Sequence, residues 1–125
     1  MKPTIVEKLW GREEWIHNDS DYCGKVLVFY RAGNHCSMHY HMKKKETWYV
    51  SKGSFLHRRF AIGAENGGIV EAEIRLGDLV NIRPGLPHQL VALEDDSRIF
   101  EVSTEHFDDD SYRLFRDVCV LQGPK

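Results

Sequence analysis

The chain is short of the features that would take it out of the ordinary globular class. It has three cysteines, Cys23, Cys36 and Cys119, with no C-x-x-C spacing among them. An odd, scattered set argues against a disulfide framework, and a cytoplasmic location is expected. No apolar run approaches the ~18–20 residues that span a bilayer, so no membrane partner is expected. The opening MKPTIVEKLWGREEW lacks the apolar centre of a signal peptide, and export is not expected either. There is no excess of one charge: 17 Lys and Arg stand against 19 Asp and Glu, which gives no reason to expect nucleic acid as a partner. Internal repeats and low-complexity linkers are absent, as are long stripes of helical period.

What is present is a set of short strand-like runs within 125 residues, the size of one domain. They cover residues 25–31, 36–42, 46–51, 55–62, 69–76, 79–83, 89–93 and 98–104. Turn signals part them: Ala32-Gly33-Asn34, Lys52-Gly53-Ser54, the polar 63–68 segment, Gly77-Asp78, Pro84-Gly85-Leu86-Pro87 and Glu94-Asp95-Asp96-Ser97. Such spacing predicts an all-β fold, an antiparallel barrel or sandwich. Residues 25–107 form the predicted barrel. Residues 1–24 are an arm or an added strand, with 10–17 open to either reading. In the tail, 108–125, Asp108-Asp109-Asp110 is expected to cap a short helix over 111–118.

One stretch carries chemistry. His39 and His41 are two residues apart, so on a strand both imidazoles leave the same face. Glu46 follows the Lys43–Lys45 run, close enough to return on the next strand to the same point. Two imidazoles and a carboxylate suit a divalent transition metal, and a further ligand is expected from a distant strand. His88 is the candidate, because the stiff Pro84–Pro87 segment before it fixes where its strand begins. Mn, Fe, Co, Ni and Zn all accept such ligands. Cys36, out of phase with the histidines, is expected to face away from them. His35 is read as a loop residue.

Gly33, five residues, His39, one residue, His41, four residues, Glu46, six residues and Gly53 resembles the first motif of the cupins at every defined position. Gly77 to His88 is similar to the second, with Arg83 where the family usually has proline and Ala92 where it often has asparagine. The resemblance implies a single-domain jelly-roll β-barrel holding one divalent metal on His39, His41, Glu46 and His88.

A further likeness lies in Trp10-Gly11-Arg12-Glu13-Glu14-Trp15, Tyr22-Cys23-Gly24-Lys25, Ser37 to His41, Lys45 to Val50 and Glu101-Val102-Ser103-Thr104. These segments resemble the cupin domain of type II mannose-6-phosphate isomerases and their short stand-alone relatives. That resemblance implies aldose–ketose isomerisation of a sugar or sugar phosphate through a metal-stabilised enediolate, in a protein that pairs as a homodimer. Fe- or Ni-dependent dioxygenases and non-catalytic sugar-binding modules share the same ligand set.

Isomerisation needs a proton shuttle, and Glu101, His57 and Tyr49 are the candidates. Glu101 leads, since a carboxylate within the apolar IFEV strand is costly unless paired or functional; the competing expectation is an outward-facing residue. His57 and Arg59 share strand parity and either line the barrel or stand on a solvated edge. Lys45, Arg59 and Arg31 are the candidate anion anchors, while His106 and Arg113 stand where they could close the pocket.

Overall fold

The computed structural model describes residues 1–61 and 68–114. The expected hairpin loop over 63–68 therefore lies outside the described residues except for Gly68.

Eleven strands make two antiparallel sheets among the described residues. In chain order they are β1 (Thr4–Lys8), β2 (Gly11–Asn18), β3 (Cys23–Phe29), β4 (His39–Tyr40), β5 (Glu46–Lys52), β6 (Ser54–Phe60), β7 (Ile69–Arg75), β8 (Leu79–Ile82), β9 (His88–Ala92), β10 (Ser97–Ser103) and β11 (Tyr112–Arg113). One sheet runs β1-β2-β3-β10-β5-β8 and the other β11-β4-β9-β6-β7. Consecutive strands alternate between the sheets often enough to close them face to face, as in a jelly roll. The all-β expectation holds. Among the described residues no helix is long and apolar enough to cross a membrane.

Both termini add to what the sequence predicted. Residues 4–18 form two strands rather than one, and the β1–β2 hairpin extends the sheet beside β3. At the other end, Tyr112 and Arg113 pair with Tyr40 and His39 as β11, so the helix expected from residue 111 does not start there. The rest of that helix, 115–118, lies outside the described residues. Asp110, read as part of a cap, turns inward instead, and its role becomes clear at the site.

The apolar faces meet in a core of Leu27, Phe29, Trp48, Val50, Phe55, Ile74, Ile82, Leu90, Ala92 and Ile99. Phe29 stacks on Trp10 and meets Phe55 edge to face, with ring centroids 4.3 and 5.1 Å apart. β5 shows how the pleat sorts its residues: Glu46, Trp48 and Val50 point in, while Tyr49 points out. Leu27, Phe29, Trp48 and Leu90 of this core also line a cavity whose remaining wall carries ionisable side chains.

The β5–β6 turn needs a glycine. Gly53 sits at φ +70°, and a Cβ there would overlap the Ser97 side chain. Gly53→Ala is therefore expected to lower the unfolding free energy by roughly 1–3 kcal/mol, read as a lower denaturant midpoint at unchanged slope.

Candidate metal centre

Three short pieces of chain bring the ligand candidates together. β4 places His39 and, one residue past its end, His41 on one face, with Tyr40 turned the other way against Tyr112. β9 opens with His88, directly opposite His39 in the pairing of the two strands. β5 opens with Glu46, and the 42–45 turn carries the chain to it from His41.

The imidazoles are held in one tautomer by the backbone. His39 Nδ1 lies 2.7 Å from the Ser37 carbonyl, His41 Nδ1 2.7 Å from the Asp110 carbonyl, and His88 Nδ1 2.8 Å from the Leu86 carbonyl. A carbonyl can only accept, so each Nδ1 carries the proton and each Nε2 keeps its lone pair. One ring nitrogen from each histidine lies within 4.8 Å of the other two. Burial lowers the pKa of all three: His39 falls to about 4, His88 well below 6.5, and His41 is lowered further by Lys44. Neutral rings with converging lone pairs are the form that a metal needs.

Glu46 stands at the edge of this cluster. Its Oε1 accepts a hydrogen bond from Trp48 Nε1 at 2.7 Å. Its Oε2 is 3.4 Å from His41 Nε2 and 3.9 Å from His88 Nε2, and it is buried with no hydrogen-bond partner among the described residues. An orphaned buried carboxylate oxygen facing imidazole lone pairs fits a divalent cation.

Asp110 braces the whole arrangement. Besides the bond from its carbonyl to His41, its carboxylate accepts from the backbone N–H groups of Met42, Lys43 and Lys44 at 2.8–3.2 Å. These bonds outweigh the effect of burial and hold its pKa below the usual value. They also fix the turn between His41 and Glu46, which decides where Glu46 starts.

A charged layer adjoins the histidines. Glu101, on β10, is opposite Lys25 of β3 on one side and Trp48 of β5 on the other. Lys44 Nζ donates to Glu101 Oε2 at 3.2 Å and lies 3.9 Å from Glu46 Oε2. Burial pushes the Glu101 carboxyl up, but Lys44 and then Lys25 outweigh it and keep Glu101 ionised. Glu46 moves the other way, raised by its burial and by the nearby Glu101. His106 joins from the C-terminal side, with Nδ1 3.3 Å from Lys44 Nζ, and burial depresses its pKa to about 4.

Together these groups line a cavity of about 1030 Å³, with Trp15, Lys25, Cys36, His39, His41, Glu46, His88, Glu101, His106 and Arg113 in its wall. Other predicted site residues are not brought there. Tyr49 is 44% exposed on the opposite face of β5. Lys45 is exposed as well, and its neighbour Lys44 supplies the inward ammonium. Arg31 lies 4.0 Å from Asp95 in a surface loop, and Arg59 donates to the Phe60 carbonyl. His57 is buried behind Trp48, ring centroids 5.3 Å apart, and does not line the cavity. Cys36 does line it, because the chain before His39 is not a regular strand and phase from the histidines does not carry back.

Sequence reasoning passed over Lys25, Lys44, Trp48 and Asp110. Lys25 and Trp48 gave a signal, being in phase with Leu27 and Glu46 respectively. Lys44 lay hidden in a run of three lysines and Asp110 in a run of three aspartates. If the aspartate braces the ligand turn, Asp110→Ala weakens binding of added Mn(II) or Zn(II) roughly 10–100-fold. Competition titration against a chromogenic chelator checks this, with Trp48→Phe expected to act in the same direction through Glu46.

No protein-family model matches the sequence, and no curated protein matches it significantly. Solved structures do match in shape. The chain is 20% identical to oxalate decarboxylase from Bacillus subtilis with a TM-score of 0.72, covering 90% of this chain and 30% of that one. The capsular polysaccharide assembling protein CapF from Staphylococcus aureus gives 21% identity and a TM-score of 0.76, covering 91% of this chain and 33% of that one. The chain thus spans about a third of each of these two. KdgF from Halomonas sp. is nearer in length, with 20% identity, a TM-score of 0.70, and coverage of 85% of this chain and 89% of that one. The fold is that of a single-domain cupin jelly roll, and within it a buried cluster of three histidines could hold one metal ion.

Proposed function

We propose that the protein is a metal-dependent isomerase acting on a sugar or sugar phosphate, interconverting aldose and ketose by proton transfer next to a carbonyl. His39, His41, His88 and Glu46 would hold the metal. When bound, it supplies a Lewis acid that draws electrons from the carbonyl oxygen.

The observation that carries this reading is Glu101. It is an ionised carboxylate, 3% exposed, in the wall of the cavity that the three histidines line. A buried charge of this kind is costly unless it is paired, and Lys44 pairs it. The same lysine gives the carboxylate a use. Glu101 takes a proton from the hydroxyl-bearing carbon beside the carbonyl and returns it to the carbonyl carbon, while the hydroxyl proton passes to the former carbonyl oxygen. Lys44 holds the carboxylate in place throughout. Leu27, Phe29, Trp48 and Leu90 give the cavity an apolar part to its wall. His57 and Tyr49, off the cavity wall, take no part in this scheme.

Proton transfer of this kind leaves an isotopic record. The protein loaded with Mn(II), incubated in deuterated buffer with a panel of aldoses, ketoses and their phosphates, is expected to place deuterium at C1 or C2 of one of them without consuming oxygen. Glu101→Gln is expected to slow that exchange by roughly 10²–10⁴-fold at unchanged metal content. Absence of label across the panel, or a Glu101→Gln variant that exchanges at the wild-type rate, overturns the reading. Removing the metal with a chelator is expected to abolish exchange, and adding Mn(II) back to restore it, measured by the same label.

A further inference from the structure

We propose that Lys25, backed by His106 and Trp15, is a binding group for an oxyanion of the substrate, a carboxylate or a phosphate. The proposal builds on the isomerase reading only in placing that substrate in the same cavity.

Lys25 lies on β3 between Trp15 of β2 and Glu101 of β10, each directly opposite it in the strand pairing. Its side chain is 3% exposed, and the residue lines the cavity that holds the histidines. An ammonium carries three N–H donors. Among the described residues only one partner lies within hydrogen-bond distance, His106 Nδ1 at 3.4 Å. The nearest carboxylate oxygen in an ion pair, Glu13 Oε1, is 3.7 Å away and already accepts from Trp15 Nε1 at 3.0 Å.

The His106 contact is itself contested. His106 Nε2 faces Asp108 Oδ1 at 3.2 Å, which puts the ring proton on Nε2 and leaves Nδ1 a single lone pair. Two ammonium groups approach that lone pair, Lys25 at 3.4 Å and Lys44 at 3.3 Å. Lys44 has a second partner in Glu101 at 3.2 Å, so Lys25 is the less satisfied of the two. Meanwhile its Nζ lies over the Trp15 ring, 4.1 Å from the centroid. The ring face stabilises the positive charge without using an N–H donor. The result is a buried ammonium in the cavity wall with N–H donors to spare. An oxyanion accepts from the spare donors through charge-assisted bonds, which a neutral hydroxyl does not.

The test is calorimetric binding to the Mn(II)-loaded protein, with metal content measured for every variant. The probes are D-gluconate, D-glucose 6-phosphate and the neutral D-glucitol. The expected result is that one anion binds roughly tenfold or more tightly than glucitol. Lys25→Met removes that preference, and Lys25→Arg keeps part of it. A preference for gluconate alone assigns the oxyanion to a carboxylate, and a preference for glucose 6-phosphate alone assigns it to a phosphate. If Lys25→Met does not fold, Lys25→Gln and the salt dependence of wild-type binding read the same charge. Equal affinity for all three probes, or an anion preference that survives loss of the Lys25 charge, overturns the subsite. Since binding needs no turnover, that failure is separate from failure of the deuterium exchange.

Discussion

Three hydrogen bonds from imidazole Nδ1 to backbone carbonyls govern the rest of this site. Each commits one ring nitrogen to a group that can only accept, and so commits the other to a lone pair facing inward. The acceptors belong to three different places in the chain, Ser37, Leu86 and Asp110. The cluster therefore cannot form until β4, β9 and the segment before β11 are in place. Two of the acceptors lie two residues before their histidines, a local device that the short strands can supply. The third comes from 69 residues away and depends on the fold.

That third contact explains the unusual work of the C-terminal segment. Asp110 is tied to the histidine cluster twice, through its carbonyl to His41 and through its carboxylate to the turn that follows. β11 then pairs with β4, which carries His39, and Leu114 N–H donates to the Met38 carbonyl. A stretch that would otherwise be a polar tail becomes part of the scaffold of the site. Its energetic logic is that of a buried carboxylate: it is tolerated because three backbone N–H groups share its charge.

The second layer obeys the same accounting of charge. Lys44, Lys25, Glu101 and Glu46 are all buried, and none is affordable alone. Glu101 sits between the two lysines, and Lys44 reaches both carboxylates. Their row runs across the sheet as Trp15, Lys25, Glu101 and Trp48, one residue from each of four adjacent strands. The flanking indoles do different jobs: Trp15 covers the Lys25 ammonium, and Trp48 donates to Glu46. The apolar core thus grades into a polar wall through side chains that are themselves half of each kind.

Much of this was legible in the chain. The strand runs, their breakers and the His39–His41 pair reflect a period of two, which any extended strand imposes, while His88 was expected from the stiff Pro84–Pro87 segment before it and from the resemblance to the cupins. The Glu101 expectation rested on the cost of a carboxylate in an apolar strand, a penalty that is also readable without coordinates. Lys44 and Asp110 were not readable, because within a run of identical residues local pattern says nothing about which one turns inward. Tyr49 failed to reach the cavity for the opposite reason, adjacency in sequence being separation by a whole sheet face on a strand. What the sequence determined was the period and the kinds of side chain available. Which of them meet was decided only by the register between strands far apart in the chain, since burial and hydrogen-bond satisfaction are properties of the assembled sheets.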